Sequence, residues 1–98
     1  MDYNVLCFRS VWKDGKGTHD TEWHLADIGL SREWAIASMV KRAMRHDETL
    51  GEILLQNILQ GGVEPEQPYL INDEETGVYL WFCIVPEGQE LPPLPEPS

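Results

Sequence analysis

Residues 31 to 62 read SREWAIASMVKRAMRHDETLGEILLQNILQGG, and this stretch decides the fold because its apolar residues recur at helical spacing twice in succession. Ser31 reads as an N-cap. Ile36, Met39, Val40, Ala43 and Met44 follow at i, i+3 and i+4, which predicts an amphipathic helix ending near His46. Thr49 and Glu52 then have the spacing of a capping box, in which hydroxyl and carboxylate satisfy each other's helix-end amides. They are expected to open a second helix. Leu50, Ile53, Leu54, Ile58 and Leu59 form its apolar stripe, and Gly61-Gly62 supply residues suited to the backbone past a helix end.

On either side of this pair the apolar period changes from 3.6 to 2. From Tyr3 to Trp12, Leu6, Phe8 and Trp12 fall on one face and Val5, Cys7, Arg9 and Val11 on the other, as in a strand of a sheet covered on one side. Lys13-Asp14-Gly15-Lys16-Gly17 supplies a tight connection, so Thr18 to Ile28 is expected to return as a second strand carrying Trp23 and Leu25. After the helices, prolines 65 and 68 mark a loop from Glu64 to Pro68. Tyr69 to Asn72 and Gly77 to Val85 read as two strands joined by an Asp73-Glu74-Glu75-Thr76 turn.

The order β-β-α-α-β-β predicts an α+β domain, an antiparallel sheet packed on two helices, over residues 1–86. From residue 87 to 98 the composition turns to proline, at positions 92, 93, 95 and 97, and a disordered extended tail is expected. Its Pro92-Pro93-Leu94-Pro95 satisfies a P-x-x-P pattern. At 98 residues, 42% of them hydrophobic and four of them Trp, the chain has enough apolar matter for one core despite a net charge of −10. The longest apolar run, Val78 to Val85, is far short of the ~20 residues a membrane helix requires. The opening Met-Asp-Tyr-Asn lacks the basic and apolar regions of a signal peptide, so a cytoplasmic location is expected.

Catalytic chemistry finds little support. His19, Asp20, Glu22 and His24 are the best metal-like group, but an odd separation in a strand sends the two imidazoles to opposite faces. Cys7 and Cys83 each sit in an apolar strand and read as buried free thiols, since neither belongs to a Cys-x-x-Cys pair. Ser31 and Ser38 are accounted for by a helix cap and a helix surface, and the glycines at 15 and 17 lack the helix that a phosphate loop needs. No enzymatic activity, cofactor or metal is expected.

Charge is the feature that speaks to function. All seven Lys and Arg lie at or before Arg45, against six acids there, while residues 46–98 hold eleven Asp and Glu and no cation, giving +1 and −11. The helical pair after a short strand resembles the rhythm of ribbon-helix-helix repressors. Its only cationic cluster is Arg32, Lys41, Arg42 and Arg45, too few to neutralise phosphates, so direct nucleic-acid binding is not expected, nor is membrane binding. Asp47, Glu48 and Glu52 are accounted for by the dipole at the second helix's start. Asp73, Glu74 and Glu75 exceed what a turn needs; with Glu64 and Glu66 they are expected to form a one-sided negative field, and Tyr79 and Trp81 to supply its aromatic anchors.

In size and charge the chain is similar to toxin-neutralising immunity proteins and to phage-encoded inhibitors of nucleic-acid-dependent defence. That likeness is of composition and implies a non-enzymatic, nucleic-acid-mimicking inhibitor occupying a basic surface of a partner protein, such as a nucleic-acid-binding enzyme. The alternative is a structural or assembly subunit whose exposed Trp and strand edges build a homodimer or larger oligomer.

Overall fold

The computed structural model describes residues 1–73 and 75–95. It is an α+β fold with strands β1 (Tyr3–Lys13), β2 (Lys16–His19) and β3 (His24–Leu30), helices α1 (Arg32–His46) and α2 (Glu48–Leu59), then strands β4 (Tyr69–Asp73) and β5 (Val78–Pro86). All five strands join one antiparallel sheet. The long β1 is its spine: β2 and β3 pair one after the other along one side of it, β5 along the other, and β4 lies outside β5 as a sheet edge. The β1–β5 ladder runs unbroken from Tyr3↔Pro86 to Val11↔Val78.

The expected second strand, Thr18 to Ile28, is two strands. Asp20 is the reason: its Oδ2 accepts the Arg9 amide at 2.9 Å while its own amide donates to the Arg9 carbonyl at 2.9 Å. A side chain has taken a ladder position, and the backbone leaves the sheet until His24. The element order is therefore β-β-β-α-α-β-β.

Ser31 caps α1 as its spacing predicts, its Oγ accepting from the Trp34 amide at 3.3 Å. The start of α2 differs from expectation. Asp47, not Thr49, is its N-cap: the Asp47 carboxylate accepts from the Leu50 amide at 3.0 Å, and its own amide donates to the Ala43 carbonyl at the end of α1. One residue thus serves two helix ends, which brings α2 back against α1 without an intervening loop. Gly51 sits where the helices meet, and a Cβ there would lie 2.6 Å from the Met44 backbone nitrogen.

α1 lies on the sheet, and α2 packs chiefly on α1. The inner face of the sheet contributes Val5, Ile71, Phe82 and Ile84 to a core completed by Ala35, Met39, Val40 and Ala43 of α1 and Leu54 of α2. The sheet packs one face on the helices as expected, and its other face is covered over part of its area as well. There Leu6, Phe8, Cys83 and Val85 are buried together with Trp23, which drops onto them from the β2–β3 break. Burying each such large side chain contributes about 1.5–3 kcal/mol, so a second cluster of five is a substantial part of a small domain's stability.

Cys7 and Cys83 lie on adjacent strands, Cys7 opposite Phe82 and Cys83 opposite Leu6, and so point to opposite faces of the sheet. Both are free thiols. Past β5, Gly88 has φ +84° and the Gln89 amide donates to the Pro86 carbonyl at 3.1 Å, a turn that reverses the chain. The expected disordered segment 87–98 is described as far as Pro95, and the Pro92 carbonyl accepts from the Trp23 indole at 2.9 Å. No helix among the described residues is long and apolar enough to cross a membrane.

Candidate protein-binding face

The β4–β5 hairpin carries most of the residues that sequence singles out. Strand alternation sends Tyr79, Trp81, Cys83 and Val85 outward from β5, and the pairings Leu70↔Trp81 and Asn72↔Tyr79 set the outward residues of β4 beside them. Trp81 meets Phe8 edge to face, with centroids 5.8 Å apart, and Phe8 in turn meets Trp23 at 5.9 Å. Toward Trp23 the aromatic row is buried. Toward β4 it opens: Trp81 and Tyr79 are half-buried, Asn72 is exposed and Leu70 is 41% exposed.

The acidic turn stands at the end of the same hairpin. Asp73 Oδ1 accepts from the amides of Glu75, at 3.1 Å, and Thr76, at 3.4 Å, so this carboxylate organises the loop it begins. Desolvation pushes its pKa up, but hydrogen bonds from Thr76 and from the Glu75 amide, with the charge of His46, outweigh that and hold it below the ordinary value. Glu75 is exposed at the tip. Glu74 lies outside the described residues. Gly77 closes the turn with φ +72°, pressed so close to the Trp12 carbonyl that a Cβ would overlap the oxygen.

Glu64 and Glu66 do not join this group. The Pro65 carbonyl between them accepts from the Ile84 amide, whereas Asp73 pairs with Val78, and the six residues separating those positions on β5 span about 20 Å. That is more than two Debye lengths at physiological salt. Glu66 is also engaged, its Oε1 2.7 Å from Arg32 Nε. That hydrogen bond holds the Glu66 carboxyl below its ordinary pKa and raises that of Arg32. The four described members of the expected five-carboxylate field fall in two patches, one toward each end of the hairpin, and nothing local in the sequence signals the Arg32 partner 34 residues away.

The remaining charged groups lie elsewhere. Arg42 donates to the Ala26 carbonyl at 2.9 Å and lies 3.5 Å from Asp27, fastening α1 to β3. Hydrogen bonding from Ser38, ahead of the contribution of Arg42, lowers the Asp27 pKa. His19 stacks on Phe8 on the outer face, while His24 pairs with Cys7 and lines a shallow cleft with Arg42 and Arg45 on the helix side. Among the described residues no group of three or more His, Cys, Asp and Glu is placed to hold a metal ion. Burial raises both thiols, Cys7 to about 11 and Cys83 to about 12, which leaves neither as an available nucleophile near neutral pH. Sequence reasoning did not single out Leu70, because its place beside Trp81 depends on the β4–β5 register. Comparison with family models, with curated proteins and with solved structures finds no significant match for this chain.

Proposed function

We propose that this protein is a non-enzymatic protein-binding module, an inhibitor of the immunity-protein or counter-defence kind, that seats its β4–β5 hairpin on a basic, nucleic-acid-binding surface of a partner. One observation carries the reading: a half-open row of Leu70, Tyr79 and Trp81 lies on the hairpin whose end bears Asp73 and Glu75. An apolar row with charge at the hairpin's end suits a specific interface, the aromatic side chains supplying affinity and the carboxylates, Asp73 with the helix-side parity of Ile71 and Glu75 exposed at the tip, supplying long-range steering. Glu64 and Glu66, at the far end and partly neutralised by Arg32, add little to that steering.

The test is binding to purified basic nucleic-acid enzymes at ~50 and ~200 mM salt, with the native chain and with Asp73→Asn, Glu74→Gln and Glu75→Gln combined. Affinity is expected to fall with salt for the native chain and to lose most of that dependence in the variant. Asn at 73 keeps the acceptor that the turn uses. Salt-independent affinity, or equal salt dependence in both proteins, contradicts the charge mechanism. A second reading is favoured by β4, the last strand of the sheet among the described residues, whose outer edge beside exposed Leu70 could pair with another copy. Sedimentation separates the two, a stable dimer supporting assembly and a monomer supporting the inhibitor.

A further inference from the structure

The tail is seated in a way that an arbitrary chain end would not be. Beyond the turn at Gly88 the chain doubles back to Trp23, whose indole N–H donates to the Pro92 carbonyl at 2.9 Å. Over the following residues Pro92 and Pro95, three apart, are half-buried, and Pro93 and Leu94 between them are exposed. Three residues per turn is the period of a polyproline II helix, which presents the two prolines of a P-x-x-P segment to one side. An aromatic surface with an indole donor aimed at a proline carbonyl is the chemistry by which such segments are bound, because proline retains its acceptor while its rigid ring costs little entropy to dock.

We propose that the surface around Trp23 is a reader of proline-rich segments, occupied here by the chain's own tail, and that its ligand in trans is a P-x-x-P segment flanked by Lys or Arg. The charge preference follows from the setting. The cleft beside Trp23 is lined by Asp20, Thr21, Glu22 and His24, while the described tail, residues 87–95, carries Glu87 and Glu90 and no cation. The tail is held by its covalent attachment, which supplies an effective concentration of about millimolar order, and it brings no cation to that acidic cleft. A basic segment adds an attraction to Asp20 and Glu22 that the tail has no cation to make. This site goes beyond the hairpin reading and does not depend on it, since it uses neither Asp73 nor Glu75.

The experiment uses the full chain, native and with Pro92→Gly and Pro95→Gly together, changes confined to the tail. Two probes are titrated: a synthetic peptide of residues 87–98, and the same peptide with Lys at positions 90 and 96. Binding and the Trp23 indole proton are followed by NMR. The expected results are an indole proton that exchanges about tenfold faster in the variant, and a Lys-bearing peptide that binds the variant about tenfold more tightly than the native chain. The acidic peptide is expected to bind the variant more weakly than the Lys-bearing one. Equal indole exchange in the two proteins overturns the cis contact. A Lys-bearing peptide that binds both proteins equally, or leaves the variant's Trp23 signal unmoved, overturns the reader.

Discussion

Val5 and Leu6 are consecutive and both fully buried, yet they belong to two differently built halves of the molecule. Val5 faces a mostly aliphatic core, with Phe82 in it, under α1, where the sheet is sealed by a helix that is itself backed by α2. Leu6 faces aromatic rings and a single strand-break tryptophan, with the tail above and the hairpin row open beside it. A face assembled from Phe8, Trp23 and Trp81, which grades from buried to exposed, combines core and contact surface in one layer.

The strongest way to break this contrast is to remove Phe8, which joins Trp23 to Trp81. Phe8→Ala is expected to cost about 3–5 kcal/mol in urea denaturation, as much as a cavity in any main core. A loss below ~1 kcal/mol would mean that the outer cluster is a surface feature, not a second core. The thiols probe both faces at once. With Cys7 at about 11 and Cys83 at about 12, thiolate at pH 8 is suppressed about 100-fold or more relative to an ordinary cysteine. Disulfide-exchange labelling should therefore be slow in the native chain and modify both residues on denaturation; fast native labelling of Cys83 alone would show the outer face to be open.

Much of this layout is legible in the sequence where the deciding interactions are local. Ser31 announces α1 because a cap bonds three residues ahead, and the outward set of Tyr79 and Trp81 follows from strand alternation. The misread features all involve competition or distance. Thr49 and Asp47 are both capable caps two residues apart, and the tight α1–α2 junction at Gly51 selects Asp47. The β2–β3 break depends on Asp20 reaching the Arg9 amide, and the splitting of the acidic patch on the position of Pro65 beside Ile84. Neither the Arg32–Glu66 pair nor the Trp23–Pro92 bond has a local signature.

Gly51 tests the closure of the inner face. Gly51→Ala forces the helices apart or strains them, with an expected loss of about 1–3 kcal/mol measured by thermal or urea unfolding. Unchanged stability would show that α2 is free to shift on α1. The smallest effect belongs to Glu66. Its pKa is lowered in the fold from the ordinary 4.5, so its contribution is present above the unfolded value and lost as pH falls through the folded one. Because the pair is well exposed and screened, Glu66→Gln is expected to cost less than ~1 kcal/mol at pH 7 and to flatten the acid limb slightly. A larger loss would assign the loop before β4 a role in holding the sheet edge.

The proposed function has the open end of the outer face bind a basic protein. Its most direct test is the affinity of one basic nucleic-acid-binding partner for the native chain, for Tyr79→Ser and for Glu66→Gln, measured by calorimetry at ~50 mM salt. The account predicts a loss of about tenfold or more for Tyr79→Ser, as expected of an aromatic anchor, with Glu66→Gln close to native. Equal affinity for all three proteins would contradict it.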